Sequence, residues 1–211
     1  MMIRVFNFFN HKDKKIRDDR WIFGSMLVGA LLSLLASFVL SVEAVQLAAN
    51  PDVELACSIN AVLNCASVGL HESAHMFGFP NAFLGLIAEP VVITVAIAGL
   101  SGVRFPRAFM FAAQIGYGLG FIFALTLLYI SMFTIQALCP WCLLVSLTTT
   151  MVFFAISRYN IRENNLYLPA KIQKSLKNLV QKDYDKLLLW TIVMTVVAGI
   201  IVKYGNALFT F

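Results

Sequence analysis

The chain has 211 residues, 60% of them hydrophobic and 13% charged, with a mean hydropathy of +0.81. A soluble core of this size does not need so apolar a chain, so a polytopic membrane protein built as a single helical bundle is expected. The formal charge of +5 does not point to nucleic acid, because the basic residues flank apolar runs instead of forming an aromatic-interleaved patch; anionic lipid and the positive-inside rule account for them.

Residues 1–20 are charged, with Lys12, Lys14, Lys15, Arg17 and Arg20 next to the first apolar run. That run, residues 21–45, is too long for the core of a signal peptide, and a twenty-residue segment rich in polar and charged residues precedes it. Trp21 is expected as its interfacial anchor. Residues 46–81 then carry no Lys or Arg, but hold Cys57 and Cys65.

A second span is expected over 82–100, with Asn81 as its N-cap. Glu89-Pro90 falls about 12 Å into it at helical rise, where a carboxyl is either a proton relay or a neutral group bonded to Gln114 or Tyr117. Residues 102–107 form a short basic turn. The third span, 108–133, carries Gly116, Gly118 and Gly120, small residues that permit close helix contact. The fourth starts at Cys139-Pro140-Trp141-Cys142 and runs to about residue 157. A basic segment, 158–186, places Ile172, Leu176, Leu179, Val180 and Tyr184 at helical spacing, the pattern of an amphipathic surface helix. The fifth span covers 187–204.

Orientation follows from a count. Of sixteen Lys and Arg, all but Lys203 lie in the N-terminus, the 102–107 turn or the 158–186 segment. Five spans starting from the cytoplasm put those three regions inside. All four cysteines then face the oxidising side.

Cys139 and Cys142 sit at a helix start, where the dipole stabilises a thiolate and Pro140 costs no hydrogen bond. A bare C-x-x-C also serves as half a zinc site or a plain link. Four cysteines allow three connectivities, and static staples compete with a redox relay. In the relay, a mobile loop pair Cys57/Cys65 passes electrons to the helix pair Cys139/Cys142, and a quinone in the bilayer receives them.

The loop Cys57-Ser58-Ile59-Asn60-Ala61-Val62-Leu63-Asn64-Cys65, the stretch Phe77-Gly78-Phe79-Pro80-Asn81 and the Cys139-Pro140-Trp141-Cys142 motif together resemble the bacterial branch of the vitamin K epoxide reductase family. The resemblance spans roughly 21–157. It implies an all-α integral membrane fold: a four-helix bundle around a quinone site, followed here by a fifth transmembrane helix. It further implies disulfide generation at a bacterial inner membrane, with ubiquinone or menaquinone reduced and a periplasmic thioredoxin-fold protein reoxidised. Cys142 would be the quinone-proximal thiolate, Cys139 its exchange partner, and Cys57 and Cys65 the shuttle. Many bacterial members carry a fused thioredoxin domain; none follows the fifth span before Phe211, so a separate partner is expected. A Ser or Thr often found six residues after the second loop cysteine is His71 here. Ser67, His71 and Asn81 are therefore the candidate polar contacts of the quinone, and Trp141 a candidate wall.

Two rivals belong to other classes. His71-Glu72-Ser73-Ala74-His75 matches H-E-x-x-H, in which two histidines on one helical face hold zinc and the glutamate is the base. A helix there has room only between about residues 66 and 76, and His11 falls on the other side of the membrane, leaving acidic groups such as Glu89 as third ligand. The second rival, four cysteines on a metal, needs reduced thiolates that an external face disfavours.

Overall fold

A computed structural model describes residues 13–208, with side chains to residue 205; Lys12 and His11 lie outside the described residues. Seven α-helices are found among them. They are α1 (Lys14–Ala49), α2 (Cys65–Gly69), α3 (Ala82–Leu100), α4 (Arg107–Ile130), α5 (Pro140–Glu163), α6 (Ala170–Gln181) and α7 (Tyr184–Leu208). Five of these are long and apolar enough to cross a membrane, α4 doing so with the π-helical turn Ser131–Ile135 that extends it. The protein is thus an all-α, multi-pass membrane protein.

α1 is the spine, lying along α3 and α5; α5 also packs on α4. It begins where the Asp13 carboxylate accepts the Lys15 N–H at 2.8 Å. Its 36 residues span about 54 Å, more than a bilayer core needs, so it projects beyond the apolar layer. Most of the residues it buries are small or polar, among them Gly29, Ala30, Ser33, Ala36 and Ser37, while Leu31, Leu35 and Phe38 point outward. Lipid solvates leucine as well as protein does, so small residues go to the helix contacts, where backbones must approach. A Cβ on Gly99 would run into the Phe23 ring, one on Gly85 into the Ser37 side chain, and one on Gly29 into Val152.

The glycines of α4 serve differently from the close contact expected of them. A Cβ on Gly116 or Gly120 would meet nothing within 4 Å, and one on Gly118 would meet only Phe153, at 3.6 Å. Gly116 and Gly120 leave space, described below.

One end of the bundle is held by charge. Arg158 bonds both oxygens of Asp185, at 2.8 and 2.9 Å, and Asp18 at 3.0 Å; Arg162 pairs with Asp18 at 2.7 Å and also with Asp19. These pairs tie the starts of α1 and α7 to the end of α5, and carry α5 past the expected boundary at residue 157 to Glu163. Asp183 joins the same end, and its hydrogen bond from Lys186, with Arg158 beside it, holds its carboxyl below the usual range. α6 is the expected amphipathic helix, with Val180 buried and Ile172 and Leu179 exposed. α7 lies at the periphery, most of its apolar side chains exposed; the Tyr204 hydroxyl donates to the Met132 carbonyl at 2.6 Å, and Lys203 reaches the same oxygen.

Candidate functional site

The cysteines come together through a single backbone pairing. Leu63 and Leu138 form an isolated parallel bridge: Leu138 N–H donates to Val62 O at 2.6 Å, and Asn64 N–H to Leu138 O at 3.0 Å. In a parallel pair the residues that follow step forward side by side. Cys139 comes directly after Leu138 and Cys65 two residues after Leu63, and their sulfurs lie 3.3 Å apart. Each then enters a helix. Asn64 caps α2 through its Oδ1, which accepts the Ser67 N–H at 2.9 Å; Cys139 caps α5, its sulfur accepting the Cys142 N–H at 3.4 Å.

Cys57 and Cys65 form a disulfide, while Cys139 and Cys142 are free thiols. Cys57, Cys65 and Cys139 are all buried, packed with Leu47 and Leu55; Trp141 covers the cluster from its edge. Hydrogen bonding from the Cys142 thiol, aided by the backbone N–H groups of Cys142 and Trp141, outweighs burial and holds the Cys139 thiol below its ordinary range. A thiol of that kind is a good leaving group in disulfide exchange.

Below the sulfurs, a cavity of about 440 Å³ opens between α1, α3, α4 and α5. That volume suits a small-molecule site. Its wall is mostly apolar (Leu40, Phe123, Leu127 and Leu143 among others), and Cys65, Cys139 and Cys142 lie at one end. Gly116 and Gly120 form part of it, which is why no neighbour fills the space beside them. The deeper wall holds Glu89, buried, with Ser33 Oγ donating to its Oε1 at 2.8 Å and the Tyr117 hydroxyl at 3.3 Å. Gln114, the other expected partner of Glu89, instead donates to Ser157 and accepts from Asn160.

The expected polar contacts divide. Asn81 lines the cavity; Ser67, His71 and Trp141 do not. Ser67 lies in the first turn of α2, its backbone N–H donating to Asn64 Oδ1, and His71 Nδ1 accepts the Ser73 N–H at 3.1 Å. Asn81 occupies the N-cap position of α3 without capping it: its Nδ2 donates to the Ser73 carbonyl at 2.6 Å, and its buried Oδ1 has no partner. The H-E-x-x-H match lacks the geometry zinc chemistry needs. Glu72–His75 is one 3₁₀ turn with His71 as its cap, so the two histidines do not share an α-helical face. Among the described residues, the group of potential ligands that does converge is Glu43, Cys57 and Cys65, and its two sulfurs are bonded to each other. The four-cysteine metal reading fails on the same bond.

A family model described as the vitamin K epoxide reductase family matches residues 25–157, more than half of the chain. The chain belongs to the vitamin K epoxide reductase family. Comparison with curated proteins found no match. Membership makes this protein a membrane oxidoreductase whose family passes electrons between cysteine pairs and a quinone and generally works with thioredoxin-like partners. The matched stretch contains all four cysteines, α3, α4 and the whole of the cavity wall.

Sequence reasoning passed over Glu43. It is buried near the end of α1, its Oε1 lies 3.1 Å from Cys57 Sγ, and its Oε2 is without a partner. The signal was present: a lone carboxylate inside the last turns of an apolar run.

The glycines give a test that separates packing from cavity. Gly85→Val should lower thermal stability in detergent by about 1–3 kcal/mol, because the added carbons must displace Ser37. Gly116→Val should leave the melting temperature near wild type while raising KM for quinone, since its side chain enters open space.

Proposed function

We propose that this protein generates disulfides, oxidising a separate periplasmic thioredoxin-fold dithiol and reducing ubiquinone or menaquinone in a bacterial inner membrane. The observation that carries the reading is the 3.3 Å approach of Cys65 to Cys139 at the mouth of an apolar cavity. A thiolate of the partner attacks the Cys57–Cys65 disulfide; the partner leaves oxidised and Cys57 and Cys65 are left reduced. Cys65 then exchanges with Cys139, and the electron pair reaches Cys142, which lines the cavity. Each transfer is thiolate attack through a mixed disulfide.

The quinone, when bound, supplies a sink for two electrons and two protons. The cavity fits such a group: it is apolar, open beside Gly116 and Gly120, and offers an unpartnered buried acceptor in Asn81 Oδ1. Asn81 would accept a hydrogen bond from a quinol hydroxyl there, with its amide held by Ser73. Tyr117 and Ser33 orient the Glu89 carboxyl toward the same space.

The proposed arrangement is a charged N-terminal segment (1–20), a four-helix catalytic bundle (21–157) containing the 46–81 loop, a basic amphipathic segment on lipid (158–186) and a fifth span with its tail (187–211). The basic groups cluster at one end of the bundle and the sulfurs at the other, about 28 Å apart along α5 from Cys139 to Arg158. That separation, with the positive-inside rule, supports the reading that the cysteines face the periplasm.

The experiment is quinone reduction by purified protein in detergent, with a reduced thioredoxin-fold dithiol as donor. Turnover with one quinone reduced per dithiol oxidised is the expected result. No turnover with either quinone class would overturn the reading.

A further inference from the structure

We propose that Glu43 is the proton acceptor for the step that clears the relay, taking the Cys57 thiol proton as Cys57 closes the loop disulfide. The inference rests on the relay just described. Glu43 reaches inward from the last turns of α1, with one oxygen 3.1 Å from Cys57 Sγ and the other buried and unpartnered. A carboxyl oxygen of Glu43 and the two loop sulfurs all lie within 4.8 Å of one another. A disulfide sulfur carries no hydrogen, so the contact to Cys57 is a hydrogen bond only when Glu43 holds the proton. The structure has the connectivity that follows the step: loop disulfide closed, Cys139 and Cys142 reduced, Glu43 against Cys57.

The chemistry balances as follows. The Cys65 thiolate attacks Cys139 of the Cys139–Cys142 disulfide, and Cys142 leaves as thiolate with the electron pair. Cys65 and Cys139 are now joined. The Glu43 carboxylate removes the Sγ proton of Cys57, whose thiolate attacks Cys65 Sγ. The Cys57–Cys65 bond forms, the Cys65–Cys139 bond breaks, and Cys139 departs as thiolate. Cys57 and Cys65 have lost two electrons, Cys139 and Cys142 have gained them, and Glu43 carries the proton. Its way out is short. Glu43 also borders a second pocket on the far side, shared with Gln46 and Glu54, both exposed.

The test is the lifetime of the Cys65–Cys139 link, followed by mass spectrometry of non-reduced peptides after mixing the full chain with a reduced thioredoxin-fold protein. Glu43→Gln keeps shape but cannot take a proton, so the link should persist about a hundredfold longer than in wild type. Glu43→Asp should recover most of the rate. Clearance of the link at the wild-type rate in Glu43→Gln would overturn the proposal. A measurement on the unmodified chain guards against a variant that fails to fold. In infrared difference spectra, a protonated-carboxyl band must grow in step with loop-disulfide closure and persist in Glu89→Gln; its absence, or its loss in Glu89→Gln, equally overturns it. The quinone reading fails separately. If wild type forms and clears the link yet reduces no quinone, the role of Glu43 stands and the acceptor is wrong.

Discussion

Replacing Cys139 or Cys142 by Ala should abolish quinone reduction, with a fall of at least about a thousandfold in kcat whichever dithiol supplies the electrons. The reason is positional. Cys142 lines the cavity from the first turn of α5, and Cys139, which lines it too, is the sulfur 3.3 Å from Cys65 of the loop disulfide. Neither role has a substitute nearby, because the remaining sulfurs, Cys57 and Cys65, are bonded to each other. Both variants should still fold. Cys139 caps α5 with a long contact of 3.4 Å, and losing a cap costs about 1 kcal/mol. Steady-state turnover beside a detergent melting curve checks both halves, and a Cys142→Ala protein that turns over at the wild-type rate would remove that thiolate from the mechanism.

The second large effect is selective. Cys57→Ala and Cys65→Ala should lose nearly all turnover with a protein dithiol, by about a hundredfold or more, yet keep a substantial rate with a small dithiol such as dithiothreitol. A small reductant can enter the cavity and reach Cys139–Cys142 directly, whereas a folded partner must stop at the loop. The two variants should also differ from each other. Cys57→Ala leaves Cys65 beside Cys139, so it should accumulate the Cys65–Cys139 link, while Cys65→Ala cannot form it. Equal loss with both donors in both variants would mean that the loop pair shapes the cavity instead of feeding it.

Much of the architecture was legible because lipid imposes it. A segment that crosses hydrocarbon must be continuous, apolar and helical, so the five spans stand out as runs, and 82–100 matches α3 to the residue. Boundaries failed where the helix outlasts the apolar layer. α5 continues through Arg158 and Arg162, since Asp18, Asp19 and Asp185 from other helices meet those charges. No local pattern announces such partners. The glycines misled for a related reason: Gly85 and Gly116 look alike as letters, but one meets Ser37 and the other an empty cavity. Asn81 looked like a cap and is instead a cavity-wall amide held by Ser73. The local rule lost to the loop that folds over the helix start.

By itself, the sequence determined that this is a multi-pass helical membrane protein, and its cysteine spacing and flanking motifs carried the family resemblance. These are properties of composition and short-range order, which survive without knowing what packs on what. Tertiary structure decided which sulfur meets which, because only the Leu63–Leu138 pairing sets Cys65 against Cys139 across 74 residues of chain. It also decided which polar side chains face the cavity, admitting Asn81, leaving Ser67 off the wall and turning His71 to cap a 3₁₀ turn. Most of all, it brought Glu43 to the sulfurs, since a helix of fixed rise delivers a side chain to one height only and the fold alone places the loop there.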